Sequence, residues 1–546
     1  MLSFHVRADD AALNWRRTAT GFARGSSRID PYRHAALDEV IAVDGDRLLV
    51  CVREKNDGRT GPGSRPAAAA ALSSIGAEGF DRLVGQCRDW PLQWHLLIVA
   101  GTSVRIEAGL WGTAPVFLVA GAADGAAAAQ LDGDWDADRL MPGLKRASLD
   151  HGRAALWIAE YDLPYARQTL FAGLTLLTER GVAQWAPVPQ GGHRLEIAYP
   201  EPWPRPVAGT LREGADPIAA WKRILRTSMR RWTRQAGDTL GVELSGGLDS
   251  ALVAAMAARD ADRPLPSYGL AVTGGADAVA DQRARRVDLV ASLGLSDIEI
   301  PMADFLPLGP GSKRVDGTAS ALPWDEGYYE AMDRLLECAY ANGTRVMLTG
   351  FGGDELSMLR AVERQALGLE PMDDEPLSPP GGPAFLTAAA SATLAEPGDL
   401  PPRAAMSGSS VAVAALSAAR YLRHGIWPVH PLCTPELVHF CARLPAPLRA
   451  GRTTQRALLT RLGVSSVVTD PAYGDDLSPA LVRSMRFAAR PLLDRLFAAP
   501  LLAELGVVDG DCLRRDYAEW CGSEASEGSE RFYATAILEL CLARMV

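Results

Sequence analysis

Lysine is scarce in this chain, and the sequence signatures of several common sites are missing. Of 546 residues, the only lysines are Lys55, Lys145, Lys222 and Lys313. No G-x-x-x-x-G-K-[ST] sequence occurs, which excludes a P-loop. There is no H-E-x-x-H either, so a zinc site is not expected. The eight cysteines include no C-x-x-C pair and are expected to be small buried hydrophobes.

Long apolar runs and an excess of positive charge are also absent. No stretch reaches the roughly 20 apolar residues of a membrane-spanning helix, so no membrane partner is expected. The first residues, MLSFHVRADD, lack the basic start and apolar core of a signal peptide, which predicts a cytoplasmic protein. The net charge of −10 argues against nucleic acid as a partner, because the protein would release few counterions from a phosphate backbone.

The length and the change of pattern along the chain predict two main domains, since 546 residues exceed what one core ordinarily serves. In the first part, short apolar stretches such as RLLVCV (47–52) and WHLLIVAG (94–101) alternate with turns, which predicts an antiparallel sheet. The four prolines of YPEPWPRP (199–206) predict a linker. The predicted domains are residues 1–200 and 207–546.

After the linker, apolar strands alternate with amphipathic helices. The predicted strands are 240–244, 267–273, 297–302 and 344–350, and the predicted helices among them are 250–259, 280–294 and 328–343. This alternation predicts a parallel sheet covered on both faces, in a doubly wound α/β domain. Helical patterns dominate from about residue 410 onward, which predicts a helical C-terminal part.

The sequence SGGLDS (245–250) lies where the first predicted strand of this sheet turns into a helix. An open parallel sheet binds its ligand at such a turn. Gly246 and Gly247 let backbone N–H groups approach an anion, and the helix adds its positive dipole end. The two serines can donate to phosphate oxygens, and Asp249 can hold Mg²⁺. A tight turn with a helix-capping aspartate is the simpler alternative.

A second apolar strand, in VMLTGFGGDEL (346–356), ends in glycines and two acids. Asp354 follows this strand, where it could converge with Asp249 on one metal ion. Two carboxylates that share an ion suit polyphosphate chemistry, because the metal neutralises charge on a leaving pyrophosphate. A helix N-terminus with Asp354 and Glu355 in its first turn is the simpler alternative, but it does not explain the glycines.

These two segments carry a resemblance to a known family. SGGLDS resembles the S-G-G-x-D-S motif of the ATP pyrophosphatase superfamily, and with MLTGFGGDEL it resembles the synthetase domain of the asparagine synthetase family over roughly 205–480. The resemblance implies that the protein uses ATP to adenylate its substrate. It also implies that Asp249 and Asp354 hold Mg²⁺. The implied nucleotide-binding residues are Leu244, Ser245, Gly246, Gly247, Asp249, Ser250, Ala271, Thr349 and Gly350. It also implies that the front half is a glutaminase-like antiparallel β sandwich-type domain.

The front half departs from that family at its nucleophile. Glutamine-dependent members use a cysteine at position 2, which is Leu2 in this chain. The nearest cysteine is Cys51, inside an apolar strand, and hydrolysis of glutamine needs a thiolate beside a base. We therefore expect no glutaminase activity.

The synthetase half departs from the family at two positions. Phe351 stands where asparagine synthetases have Glu and β-lactam synthetase has Tyr, and it cannot move a proton. A family lysine that stabilises the acyl-adenylate transition state has no lysine counterpart, because none follows Lys313. Arg452 or Arg456 is a candidate for its charge, although a guanidinium is not an equivalent point charge.

A finer resemblance is to lasso peptide cyclases, which are macrolactam synthetases. The segments that carry it are LDGDWDADRL (131–140), ARQTLFAGLTLLTERGVAQW (166–185) and MLTGFGGDEL (347–356). It implies that an Asp or Glu side chain of a precursor peptide is adenylated and then joined to the peptide's own N-terminal amine. The implied partners are the precursor peptide, a leader peptidase and a leader-peptide-binding protein.

Two alternatives to a lasso peptide cyclase stay open. One is another intramolecular amide former such as a β-lactam synthetase, and the other is a degenerate pseudo-synthetase that only binds partners. The expected catalytic residues are Asp249, Asp354 and Phe351, with Phe351 as an apolar wall that shields an acyl-adenylate from water. The alternative to such shielding is a general base, for which the candidates are His424, His430 and Glu436.

Overall fold

The structure is a computed structural model that describes residues 1–56, 74–122, 129–161, 165–189, 192–370, 382–394 and 400–545. It divides into two compact units, each made of non-contiguous segments. Unit 1 comprises Met1–Leu144, Tyr165–Pro204 and Asp399–Ala419, and unit 2 comprises Lys145–Pro164, Arg205–Gly398 and Arg420–Val546. One passage from unit 1 to unit 2 thus falls within the proline-rich segment 199–206.

Unit 1 is built from two antiparallel sheets, which confirms the predicted antiparallel front half. Its strands among the described residues are β1 (Leu2–Arg7), β2 (Arg16–Arg17), β3 (Phe22–Arg24), β4 (Ser27–Pro31), β5 (Leu37–Asp44), β6 (Arg47–Glu54), β7 (Trp94–Ala100), β8 (Ser103–Ala108), β9 (Val116–Ala122), β10 (Ala129–Asp134), β11 (Leu174–Leu177), β12 (Val182–Pro187) and β13 (His193–Ala198). The strand orders are β11-β9-β10-β1-β4-β3-β2 and β13-β12-β8-β7-β6-β5. Helix α1 (Gly76–Arg88) lies between β6 and β7 in the chain.

Strand β6 is covered on both faces. Leu49 and Cys51 pack in one cluster with Phe80 of α1. Leu48 and Val50, which point to the opposite face, are equally buried. A hydrogen bond with Cys87 and burial both raise the pKa of the Cys51 thiol well above its ordinary value. Cys51 is therefore a protonated core residue, as its place in an apolar strand indicates.

Unit 2 contains a parallel sheet, which confirms the predicted α/β domain. Its strands in the described part of the chain are β14 (Leu240–Glu243), β15 (Pro266–Ala271), β16 (Ser296–Pro301), β17 (Val346–Leu348) and β18 (Trp427–Val429), in the order β16-β15-β14-β17-β18. Strand β17 is shorter than the predicted strand 344–350, because the glycine-rich chain turns away after Leu348.

The remaining α-helices follow α1 along the chain. They are α2 (His151–Glu160), α3 (Pro217–Ala236), α4 (Leu248–Asp260), α5 (Ala276–Leu293), α6 (Lys313–Asp316), α7 (Tyr329–Ala341), α8 (Ala361–Ala366), α9 (Ala388–Ala392), α10 (Gly408–Arg423), α11 (Pro435–Ala442), α12 (Ala446–Arg449), α13 (Thr453–Arg461), α14 (Ser466–Thr469), α15 (Ser478–Arg483), α16 (Arg490–Ala498), α17 (Leu501–Glu504), α18 (Gly510–Gly522) and α19 (Ser529–Ala543). None of the helices that the structure describes combines the length and apolarity of a membrane span.

The strand order places the ends of β14 and β17 side by side at the centre of the sheet. These strands pair in parallel, with Leu240 opposite Val346 and Val242 opposite Leu348. Because β14 lies between β15 and β17, the direction of winding reverses between β14 and β17. Such a switch point opens a crevice at the carboxyl ends of the strands, and the loops that follow β14 and β17 meet there.

Candidate active site

The turn after β14 is held in shape by its own side chains. Gly246 has a φ of +94°, a conformation that favours glycine, and Gly247 is the N-cap residue of α4. The backbone N–H of Gly247 donates to Oγ of Ser245 at 3.0 Å, and the Ser250 hydroxyl donates to the Gly247 carbonyl at 3.1 Å. The serine hydroxyls therefore stabilise the turn and orient its backbone N–H groups.

Helix α5 anchors this turn through a buried glutamine. Nε2 of Gln282 donates to the carbonyl oxygens of Ser245 at 3.0 Å and Leu270 at 3.1 Å. Its Oε1 accepts from the N–H of Val272 at 2.9 Å. One side chain thus ties the ends of β14 and β15 together.

Two arginines that follow Gln282 on α5 extend the anchor. Arg285 donates to the Gly246 carbonyl at 2.9 Å, and Arg286 donates to the Leu244 carbonyl. Both side chains are buried, and their charges are balanced by Asp475 at 2.7 Å from Arg285 and Asp297 at 2.7 Å from Arg286. Sequence reasoning assigned this segment to a helix but missed its function. The spacing i, i+3, i+4 marks one helix face, yet nothing local shows that this polar face is turned inward.

The glycines of the second loop permit a close approach to the start of α4. A Cβ built on Gly350 would lie 2.8 Å from the backbone N of Ser250. A Cβ on Gly353 would lie 2.0 Å from Cγ of Asp249. The two loops are therefore in direct contact, which explains the glycines that a simple helix N-terminus leaves unexplained.

The two predicted metal-binding carboxylates contact one guanidinium. Nη1 of Arg452 lies 3.2 Å from Oδ2 of Asp249, and Nη2 of Arg452 pairs with Oδ1 of Asp354. Gln455 donates from Nε2 to Oδ1 of Asp249 at 3.3 Å and to the Gly353 carbonyl at 2.6 Å. Asp249 and Asp354 thus lie within reach of a single cation, although they come from different strand ends.

Burial sets the electrostatics of these acids. Desolvation raises the pKa of Asp249 to about 6, while the charge of Arg452 acts to lower it and that of Glu355 to raise it. Asp354 is 69% exposed and faces solvent. A cation placed between the two carboxylates would favour the ionised form of Asp249.

The donor set suits Mg²⁺ that is bound together with a phosphorylated ligand. Among the described residues, no three His, Cys, Asp or Glu side chains are grouped closely enough to hold a metal ion by themselves. Mg²⁺ is usually held by one or two carboxylates, with substrate phosphates and water as its other ligands. Asp249 and Asp354 supply such a pair.

Of the two arginines considered for the missing lysine, Arg452 is the one that contacts the carboxylates. Arg456 lies one turn further along α13 and donates to the carbonyls of Gly451 at 3.0 Å and Thr469. It also pairs with Asp470 at 3.1 Å. Arg456 therefore supports the loop that carries Arg452.

Phe351 packs on a buried histidine. Its ring stacks on that of His430, with centroids 5.3 Å apart and an interplanar angle of 27°. Nδ1 of His430 bonds Oγ1 of Thr349 at 2.7 Å, and its Nε2 has no hydrogen-bond partner in the part of the chain that the structure describes. Burial lowers the pKa of His430 to about 3, so the ring is neutral and a weak base at physiological pH. Phe351 of the second loop thus packs against a buried, neutral ring.

The other predicted site residues lie as follows. Leu244 is buried and donates its N–H to the Tyr268 carbonyl at 2.7 Å, and Ala271 is the last residue of β15. His424 is 2.7 Å from Asp333, which also accepts from Lys313. His424 is thus held by a carboxylate of α7 that also pairs with Lys313. Glu436 lies exposed in the first turn of α11.

The protein is of the α/β class, and the two loops meet at the switch point of its parallel sheet, where open sheets of this class bind their ligands. Residues 220–358 match the sequence model of the asparagine synthase family, so the chain carries an asparagine synthase domain there. This match covers about a quarter of the chain and includes both loops. No curated protein matches the chain.

Two solved structures show weak similarity to this chain. One is the NH3-dependent NAD synthetase from Campylobacter jejuni in complex with the nitrate ion, at a TM-score of 0.23 and 12% identity, covering 57% of this chain and 98% of that one. The other is the U34-tRNA thiolase NcsA from Methanococcus maripaludis with its [4Fe-4S] cluster, at a TM-score of 0.24 and 12% identity, covering 57% of this chain and 81% of that one. Similarity at this level supports no conclusion about function.

Proposed function

We propose that this protein is an ATP-dependent, AMP-forming amide synthetase of the lasso peptide macrolactam type. It adenylates an Asp or Glu side chain of a precursor peptide and joins that acyl group to the peptide's N-terminal amine. The observation that carries the proposal is the contact between two glycine-rich loops at the sheet's switch point, with Asp249 and Asp354 in reach of one cation. The asparagine synthase domain supports the coarser part, an ATP-dependent C–N ligase.

The chain's own residues can bind and orient the nucleotide. The N-terminus of α4 presents backbone N–H groups and a positive dipole end to phosphate oxygens. Asp249 and Asp354 would hold Mg²⁺, which supplies neutralisation of charge on the leaving pyrophosphate. The anchors on α5 keep the turn fixed, so little reorganisation is needed when the ligand binds.

The proposed reaction has two steps. A substrate carboxylate oxygen bonds to the α-phosphorus of ATP, the bond between the α- and β-phosphates breaks, and pyrophosphate leaves. The substrate amine then bonds to the acyl carbon, AMP leaves with the acyl oxygen, and the amine loses a proton. The peptide product is lighter than the precursor by one water.

The second step is proposed to depend on orientation and exclusion of water. A free N-terminal amine has a pKa near 8, so part of it is neutral at physiological pH. Holding it against an activated acyl group can lower the barrier by about 7–11 kcal/mol. Phe351 and the neutral His430 would shield the acyl-adenylate from hydrolysis.

The use of an amine already on the substrate is supported by the front half of the chain. Position 2 is Leu2, and Cys51 is a buried, protonated thiol. We propose that the chain does not hydrolyse glutamine, so that the amine comes from the substrate itself. On this proposal the protein acts in the cytoplasm with a precursor peptide, a leader peptidase and a leader-peptide-binding protein.

The test is incubation of the full chain with ATP, Mg²⁺ and candidate precursor peptides. We expect stoichiometric AMP and pyrophosphate, and a product lighter by one water in the mass spectrum. Stoichiometric ADP and phosphate would refute the mechanism, and turnover of small amino acid derivatives alone would favour the β-lactam type. Absence of any nucleotide turnover would favour the pseudo-synthetase.

Two variants test the metal-binding pair. Asp249→Asn and Asp354→Asn should each abolish AMP formation without loss of folding, because each removes a ligand and not an apolar contact. Asp304→Asn, at an exposed position of the same unit, is the matched control and should leave the rate unchanged. Unfolding of both site variants would indicate that these carboxylates are structural.

A further inference from the structure

We infer that Arg452 closes the metal site of the nucleotide-free protein and moves from Asp249 and Asp354 to the phosphates when ATP binds. The inference rests on the proposed function, because it requires a nucleotide and a divalent metal ion at this site. Arg452 would thus pair first with the two carboxylates and then with the phosphates of ATP.

The guanidinium of Arg452 contacts the oxygens that a metal ion would need. It is 3.2 Å from Oδ2 of Asp249 and pairs directly with Oδ1 of Asp354. Mg²⁺ requires its oxygen ligands at about 2.0–2.1 Å in near-octahedral geometry. The guanidinium and the metal ion therefore compete for the same carboxylate pair, and one must leave for the other to bind both acids.

The backbone directs Arg452 to this position. Its φ is +58°, a left-handed conformation that residues with side chains rarely adopt, and it directly precedes α13. The residue before it, Gly451, has the same φ, and its carbonyl accepts from Nε of Arg456 at 3.0 Å. Such conformations persist only where the surrounding structure enforces them, and they concentrate at functional sites.

The side chain is free enough to leave. Arg452 is 32% exposed and its partner Asp354 is 69% exposed, so solvent screens their ion pair. Gln455 keeps its own bonds to Asp249 and the Gly353 carbonyl, and it can hold the buried acid in place when the guanidinium moves. The planar fork of a released guanidinium matches phosphate oxygens.

The charges make metal binding depend on the nucleotide. A divalent ion that arrives alone meets a resident positive charge and must displace it into water. An ion that arrives with ATP brings phosphates, which give the displaced guanidinium new anionic partners. The wild-type site should therefore bind a free metal ion weakly and a metal–nucleotide complex well.

The experiment is Mn²⁺ binding to the full chain, followed by the electron paramagnetic resonance signal of free Mn²⁺. It is done without nucleotide and with the α,β-methylene analogue of ATP, which cannot release pyrophosphate. Arg452→Gln should bind Mn²⁺ about tenfold more tightly without nucleotide, a change of about 1.4 kcal/mol. The same variant should bind the analogue more weakly and form AMP more slowly.

Two further variants make the result specific. Arg461 is the last residue of α13, the helix that Arg452 precedes, and it pairs with Asp216; Arg461→Gln should change neither Mn²⁺ nor nucleotide binding. Arg452→Lys keeps the charge but cannot span both carboxylates, so its Mn²⁺ affinity should lie between those of wild type and Arg452→Gln.

The outcomes separate this inference from the proposed function. Unchanged Mn²⁺ affinity of nucleotide-free Arg452→Gln would overturn the inference even if the wild type makes AMP and pyrophosphate. Tighter Mn²⁺ binding by that variant would support closure by Arg452 even if the wild type forms no AMP, which would count against the proposed reaction alone.

Discussion

Gly353 and Asp249 are in contact across the two loops of the candidate site. A Cβ built on Gly353 would lie 2.0 Å from Cγ and 2.1 Å from Oδ1 of Asp249, far closer than real Cβ contacts. Asp249 can occupy its position after β14 only because residue 353, more than 100 residues later in the chain, has no side chain. The position of Asp249 depends on this glycine.

Gly353→Ala should therefore displace Asp249 and remove the proposed metal-dependent activity. We expect AMP formation to fall at least a hundredfold, and the added methyl group to destabilise the unit by about 1–3 kcal/mol through overpacking. The measurements are the rate of AMP formation and the urea concentration at the midpoint of unfolding. Gly522→Ala, where a Cβ meets nothing within 4 Å, is the control and should behave as wild type.

Gln282→Leu should loosen the turn after β14. The substitution leaves the carbonyls of Ser245 and Leu270 and the N–H of Val272 without their buried partner, at a cost of about 1–3 kcal/mol for each unsatisfied group. We expect weaker binding of ATP together with lower stability, measured by analogue titration and by thermal unfolding. Arg283→Gln, on the exposed face of α5, should alter neither property.

Phe351→Ala should mainly uncouple the reaction. Loss of the ring that stacks on His430 opens the site to water, so more ATP should be converted to AMP without amide product. Phe351→Leu keeps an apolar wall and should remain close to wild type. The measurement is the ratio of AMP to cyclised peptide. An unchanged ratio in Phe351→Ala would refute shielding by this side chain.

His430 should make the protein less stable as the pH falls. Its pKa in the folded protein is about 3, below the ordinary value of 6.5, so the unfolded chain takes up the proton first. The stability that this group contributes is complete above pH 6.5 and decreases toward pH 3. Between pH 7.5 and 5.5 the loss is about 1.4 kcal/mol.

His430→Gln should lack this part of the pH dependence. The measurement is the difference in urea midpoint between pH 7.5 and 5.5 for wild type and variant, since all other titrating groups are common to both. Equal pH dependence of the two proteins would show that His430 is protonated more easily than its burial indicates. If His430 were instead an essential general base, His430→Gln would lower the cyclisation rate by about 10²–10⁴.

The sheet of unit 2 was predictable because its signals are local. Buried parallel strands are continuous apolar runs, and β14, β15 and β16 lie close to the predicted positions. The convergence of the loops that carry Asp249 and Asp354 also follows from general rules, because the carboxyl ends of parallel strands share one edge. Their binding of metal stays a prediction.

The contacts that support the site were not predictable, because they join residues distant in sequence. The sequence offered Arg452 only as one of two candidates for a family lysine, and neither its contact with Asp249 across 203 residues nor its left-handed backbone has a signature in the letters RAGRTT. The place of residues 145–164 was not predictable either, because they belong to unit 2 although they precede the rest of that unit in the chain. Tyr161 there packs edge-on against Tyr533, a contact that no local pattern reveals.

The strand order of the sheet has a consequence for synthesis on the ribosome. The centre of the sheet pairs β14 with β17, and the edge strand β18 follows only at Trp427–Val429. The residues that complete the site, Arg452 and Gln455, emerge later still. Strands that are distant in sequence pair only after the long loops between them close. A nascent chain in which only SGGLDS has emerged therefore lacks the strands and side chains that complete the site. On the proposed function, ATP turnover should therefore appear late in translation, after the sheet has closed.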